Sequence, residues 1–245
     1  QLILGGSVLS KYQVDQDPLY KLPQNVGSFA GRFNLIHGKY SLLGEYAYKI
    51  NDPSSVNGFI YKTGECMMLT GTYSTRGLGI MVSAKRIDNM DFRSNRAATG
   101  SALIINYLPA ITQIHTYSLS AYYPYATQPN GEMGFQAELA YKLKKGSVLG
   151  GKYGTSIALN YATVSSIKKT AINDTTAIGE SGTKGYESDF TKVGDEVYFK
   201  DFNVVVTKKF SKKIKGSFTY MNLVYNKDAV QGLSGYGTVY ADIAV

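Results

Sequence analysis

The run Gly146-Ser147-Val148-Leu149-Gly150-Gly151-Lys152 has the spacing of a phosphate-binding loop, in which backbone N–H groups cradle phosphate oxygens and a lysine neutralises them. The next residue is Tyr153, where such a loop needs a Ser or Thr hydroxyl for its metal ion, and strand-like alternation flanks the run on both sides. The stretch therefore reads as a strand–strand connection, with no nucleotide and no other cofactor expected. His37 and His115 fall near the ends of different strands, so rim or packing roles are favoured over a metal site, which needs further ligands. Cys66 sits in a strand pattern without a dyad partner and reads as a small packing residue. Asn173-Asp174-Thr175 matches a glycosylation acceptor, a three-residue pattern that recurs by chance. No Ser-His-Asp order and no facing pair of acids marks catalysis, so the chain is not read as an enzyme.

The charges that remain interesting are those in otherwise alternating strands. Arg32, Glu45, Lys49, Lys85, Glu138, Lys142 and Asp242 are expected on a polar, inward face. They would line a channel, or form a salt-bridged, plug-like interior.

The elements that would carry them are most legible between Gly131 and Thr163. Phe135, Ala137, Leu139, Tyr141 and Leu143 alternate with Gly134, Gln136, Glu138, Ala140 and Lys142, and Tyr153 to Tyr161 repeats the pattern after a turn. Each run is about ten residues long with aromatics near its ends, the dressing of a bilayer-crossing strand in a closed barrel. Ser28 to His37 and Tyr40 to Ile50 flank Gly38-Lys39, and a two-residue turn there sets Arg32 opposite Glu45, Phe33 opposite Gly44 and Tyr46 opposite Gly31. A turn at Thr75-Arg76 would bring Glu65 to Arg86, with Cys66 on the inward side beside Lys85. Further strands are read at Leu2–Tyr12, Leu103–Tyr107, His115–Tyr123, Phe202–Phe210 and Gly216–Val224, and a last one runs through Thr238 to the final residue. Val164 to Val197 reads as the longest irregular stretch, a functional or mobile loop.

About twelve strands result, with connections alternating between short and long. That alternation fits an antiparallel up-and-down transmembrane β-barrel better than a β-sandwich. The 245 residues include 21 Tyr, 26 Gly, no Trp and one Cys, so no internal disulfide forms and the redox compartment stays open. No apolar run approaches the ~18 residues of a spanning helix, which excludes helical membrane proteins, while a mean hydropathy of −0.16 is compatible with a barrel whose inward half is polar. The net charge of +8 is concentrated at two turns, Lys142 to Lys152 and Lys208 to Lys215. Two basic turns at one barrel end suit phospholipid head groups; nucleic acid is disfavoured because no aromatic-interleaved basic face accompanies them. Gln1 opens directly into a strand pattern and Val245 ends one, from which a trimmed segment of a longer barrel is expected.

The runs Tyr123 to Glu132 and Thr219 to Asp228 resemble segments of an uncharacterised family of Bacteroidota outer-membrane β-barrels, a domain of unknown function. The resemblance implies a bacterial outer-membrane location and a longer full-length protein, and supplies no substrate or catalytic residues. The leading expectation is a pore, transporter or membrane-embedded partner of a larger envelope assembly, in contact with outer-membrane lipid. The alternatives are a barrel enzyme with a loop-borne site and a soluble extracellular glycan-binding β-sandwich.

Overall fold

The computed structural model describes every residue except Tyr117, Leu119, Ser120 and Leu233. Ten strands, β1 (Leu2–Tyr12), β2 (Asn25–His37), β3 (Tyr40–Lys49), β4 (Gly64–Thr75), β5 (Leu78–Asp88), β6 (Glu132–Lys142), β7 (Thr155–Thr170), β8 (Glu187–Lys209), β9 (Lys215–Asn226) and β10 (Thr238–Ala244), form one antiparallel sheet in chain order. One short helix, α1 (Lys227–Gln231), lies between β9 and β10. Within the sheet β1 pairs only with β2 and β10 only with β9. Among the described residues the sheet has ten strands and is not closed, where a closed barrel of about twelve was expected.

The two surplus strands belong to one long excursion, residues 89–131, between the neighbours β5 and β6. Around Leu103–Tyr107 only an isolated Arg93–Ile104 bridge forms, because Leu103 takes a left-handed φ of 56° that breaks an extended run. The expected strand at His115–Tyr123 includes Tyr117, Leu119 and Ser120, which lie outside the described residues; its described members are irregular. Elsewhere strands are longer than expected. β7 and β8 reach Thr170 and begin at Glu187, so the irregular connection shrinks to 171–186, and their outer portions pair across register shifts between Val164 and Lys169.

Register follows the hydrophobic pattern closely. Arg32 opposes Glu45, Phe33 opposes Gly44 and Tyr46 opposes Gly31, as the Gly38-Lys39 turn requires. A Cβ on Gly44 would lie 2.4 Å from the Phe33 ring, so the ring covers that glycine, whereas Gly31 stays open. The β4–β5 turn uses Arg76-Gly77, with Gly77 at φ 85°, and pairs Glu65 with Asp88 instead of Arg86. The slip is two residues, an even number, so every side chain keeps its face.

Connections alternate cleanly. Residues 38–39, 76–77, 143–154 and 210–214 lie at one end, the turn end; 13–24, 50–63, 89–131, 171–186 and 227–237 lie at the other, the loop end. The loop-end connections interlock: Phe59 stacks on Tyr20 at 5.0 Å and accepts from Gly182 N at 3.0 Å, and Ser181 Oγ donates to Gly58 O at 2.7 Å.

Candidate functional site

The two faces of the sheet differ in what meets them. Residues 89–131 fold back over one face, called the covered face. A single cross-strand row on it reads Gly5, Arg32, Glu45, Met68, Lys85, Gly134, Val164, Phe199, Tyr225 and Val239. Polar and charged at β2 to β5, the row becomes apolar toward β10. The covering segment matches this gradient residue by residue.

At the polar side, Lys49 Nζ donates to the Asp91 carbonyl, and the Phe92 ring lies under Lys49 and Lys11, 5.7 and 5.3 Å from their ammonium groups. Lys11 also pairs with Asp52, whose other oxygen receives Arg96 Nε at 2.8 Å. Asp91 holds Arg93 at 2.7 Å, and the guanidinium donates onward to the carbonyls of Ala102 and Gly100. At the centre, Lys85 Nζ lies 2.5 Å from Glu132 Oε1 and 2.6 Å from the Pro109 carbonyl, with both charged side chains completely buried. Glu132 Oε2 accepts from Tyr125 Oη at 2.5 Å and from Gln128 N at 2.6 Å. Burial, then the Glu132 charge, push the Tyr125 phenol well above its ordinary range, so it stays a donor. Toward β8, His115 Nε2 meets Asp201 Oδ2 at 2.8 Å, and Asn160 and Asn203 donate to the same carboxylate. Gln136 continues the network to Asn160 and Glu138.

At the apolar side, Ile111 and Tyr125 from the segment join Val164, Phe199, Met221, Leu223 and Tyr225 in one core. Gly134 makes room for Ile111: a Cβ there would lie 2.4 Å from Ile111 Cγ2. Two cavities remain between segment and sheet. One of about 490 Å³ is bounded by Ser28, Glu45, Cys66, Met68 and Met90, and one of about 360 Å³ by Gln113, His115, Tyr123 and Phe199; Tyr107 borders both. Pro109, whose carbonyl accepts from Lys85, lines the first.

Of the seven charged residues expected to face inward, Arg32, Glu45, Lys49, Lys85, Glu138 and Lys142 share the covered face. They do not form one site. Arg32 and Glu45 are half exposed with nitrogen and oxygen 4.0 Å apart, Lys49 and Lys85 are buried under the segment, and Lys142 lies at the exposed turn end. Asp242 is on the opposite face. It aligns with Asn222, Phe202, Tyr161, Ala137 and Val82, where Tyr220 Oη and Asn222 Nδ2 donate to it at 2.8 and 2.9 Å. Its neighbours Val239, Ala241 and Ile243 take the covered face, because there the segment presents apolar groups and inverts the usual division. Sequence reasoning passed over Asp201 and Asn203, whose i, i+2 spacing just ahead of an apolar run was a readable sign of a polar face.

The loop end holds a second polar cluster around Asp88, which accepts from Tyr186 Oη at 2.6 Å and Arg86 Nη2 at 3.2 Å, with Lys62 at 3.5 Å. Burial, then Asp88, raise the Tyr186 phenol above its usual range. Among the described residues no group of three or more His, Cys, Asp or Glu could hold a metal ion. The phosphate-loop-like run lies wholly within the turn-end connection 143–154, between two strands.

The other face of the sheet carries the side chains that make the strands hydrophobic; among the described residues no segment covers most of its breadth, and toward the loop end Phe190 and Val193 of β8 enclose a pocket with Met67, Ala84 and Phe135. A family model described as a family of unknown function, DUF6029, matches residues 1–245. The chain belongs to that family. No curated protein and no solved structure matches it. The family assignment spans the whole chain and bears out the expectation of a family of unknown function; it carries no activity, taxon or membrane location with it.

Proposed function

We propose that the chain forms the wall of an outer-membrane β-barrel of the Bacteroidota type, a pore or transporter body or the membrane-embedded partner of a larger envelope assembly, with residues 89–131 as its internal plug. The bare apolar face carries the reading. Across it run Leu4, Phe33, Leu69, Phe135 and Tyr240, and beside them Leu2, Leu35, Val82, Tyr161 and Phe202. Leu4 is 72% exposed, Leu69 38% and Phe135 40%. Contiguous apolar patches on a soluble monomer rarely exceed a few hundred Å², and this one extends from β1 to β7, with Lys200, Asn222 and Asp242 set among its apolar residues at β8 to β10. Tyr40, Tyr73 and Tyr141 lie toward its turn end, and Phe29, Tyr46 and Tyr48 toward its loop end, as interfacial aromatic girdles would. From Met133 to Tyr141 the apolar band of β6 runs about 27 Å along the strand, or about 20 Å across a bilayer at a ~40° tilt. The polar, charge-paired covered face suits an aqueous interior, and its segment favours a gated or plugged barrel over an open one.

The test is detergent partition with heat-modifiable gel mobility, followed by conductance in planar bilayers. Detergent-dependent solubility and a heat-sensitive band are expected, with low conductance that rises when residues 104–115 are replaced by a short Gly/Ser linker. A monodisperse protein in plain buffer would overturn the membrane reading.

A further inference from the structure

The turn end of the sheet carries an unusual surface. Lys144, Lys145 and Lys152 stand on the β6–β7 connection, and Lys212 and Lys213 on the β8–β9 connection. The two connections are neighbours, since Lys209 N donates to Gly154 O at 3.1 Å and Lys208 pairs with Thr155. No carboxylate occurs anywhere from Leu139 to Asn173 or from Phe202 to Lys227. Among the described residues none of these lysines forms an ion pair. The loop end, in contrast, is mixed, with Asp15, Asp17, Asp174, Glu180 and Asp228 interspersed among Lys21, Lys62, Lys184 and Lys227.

A solvated basic face would account for the charge alone. It does not account for what lies between the lysines: Val148 is 97% exposed, Leu149 69%, Ile214 63% and Phe210 59%. Apolar side chains at the tips of lysine-rich turns match a surface that meets an anionic head-group layer, where cations pair with phosphates and apolar tips enter the acyl boundary. Nucleic acid offers the same phosphate chemistry but rewards aromatic stacking platforms, and here the aromatics are only Phe210 and Tyr153, the latter half-buried with Lys152 over its ring at 5.7 Å, while the most exposed apolar tips are aliphatic. We infer that the turn end of this chain docks on anionic phospholipid, with Lys144, Lys145, Lys212 and Lys213 contacting phosphates and Val148, Leu149, Phe210 and Ile214 entering the interface. The inference rests on the reading that the bare face meets a bilayer, and it adds which end meets anionic lipid.

The experiment measures partition of the purified full chain into phosphatidylcholine vesicles with and without phosphatidylglycerol, for the wild type and for K144Q/K145Q/K212Q/K213Q. All four lysines are exposed, so the variant is expected to keep the wild-type circular dichroism. Partition into pure phosphatidylcholine reports on the bare face together with the apolar turn tips; the gain on adding phosphatidylglycerol reports on the turn-end lysines. A salt-sensitive gain of about tenfold or more is expected for the wild type, and most of it is lost in the variant. V148S/L149S should weaken binding to both vesicle types without changing the ratio between them. An equal phosphatidylglycerol gain in wild type and quadruple variant overturns the inference and leaves the bare-face reading standing. A gain confined to the wild type with no partition into phosphatidylcholine alone supports the turn end and overturns the bare-face reading. Tighter binding to a DNA duplex than to anionic vesicles, abolished by the same substitutions, overturns it in favour of nucleic acid.

Discussion

Lys85 and Glu132 form the costliest pairing in the chain to disturb. Both side chains are fully buried, and together they hold the Pro109 carbonyl, the Tyr125 hydroxyl and the Gln128 amide. Desolvating two charges is repaid only when each finds its partner and further hydrogen bonds, and here the covering segment supplies them at Lys85 Nζ and Glu132 Oε2, leaving Glu132 Oε1 to the lysine alone. Glu132→Gln leaves the lysine charge buried without a counter-ion and is expected to destabilise the protein by about 3 kcal/mol, read as a lower urea midpoint. Lys85→Met in the same background should recover a large part of that loss, since removing both charges removes the penalty along with the attraction. If the double variant is as unstable as E132Q, the cost lies in packing and the pair does not hold the segment. Neither residue's partner could be read from the sequence. Lys85 was visible as an inward charge because alternation assigns faces, but Pro109 reaches it, and Tyr125 reaches Glu132, through a chain excursion that follows no period.

Among elements, the excursion 89–131 separates what was legible from what was not. The hairpins were legible because side-chain period and turn chemistry are local: Gly38-Lys39 sets Arg32 against Glu45, and five residues from Phe210 to Ile214 hold the β8–β9 pairing in register. The outer parts of β7 and β8 were hidden because Ser165 to Thr170 and Glu187 to Asp195 are mostly polar, and their apolar residues Ile167, Phe190 and Val193 set up no two-residue alternation to announce a strand. The excursion misled in the opposite direction: Leu103, Ile105 and Tyr107 alternate like a strand yet are exposed, while the residues that anchor it, Phe92, Ile111 and Tyr125, follow no strand alternation. Ile111 is the clearest anchor, seated where Gly134 has no side chain. Gly134→Ala is expected to cost about 1–3 kcal/mol by overpacking, and Ile111→Ala about 2–4 kcal/mol by opening a cavity. The two should not add, because the new methyl group occupies space the smaller side chain vacates; a coupling of about 1 kcal/mol or more is expected in a double-mutant cycle. Limited proteolysis within 89–131 should rise in G134A and fall back in the double variant. Strict additivity would show that the two positions do not share the contact.

For the whole molecule, the deciding property is how the bare face responds to charge. Val82 sits mid-band and is 42% exposed, Leu78 lies near the turn-end rim of the same strand and face, and Met81 points to the covered side. In water, an arginine at a half-exposed strand position should change stability by only about 0.5 kcal/mol, wherever along the strand it falls. In a bilayer the cost depends on depth, about 2–4 kcal/mol at the midplane and about 0–1 kcal/mol near the interface. Val82→Arg should therefore be strongly destabilising in vesicles, Leu78→Arg nearly neutral, and Met81→Arg mild, its side chain reaching the polar surroundings of Thr72 and Glu138. Reversible urea unfolding from phosphatidylcholine vesicles measures all three. The ordering matters more than any single value, because a general intolerance of arginine would penalise Leu78 and Val82 alike. A gradient that follows depth on one face and vanishes on the other requires that face, and only that face, to meet hydrocarbon. Equal small effects at all three positions would mean the apolar face is solvated or covered by protein, and the sheet would then have to be read as half of a soluble assembly.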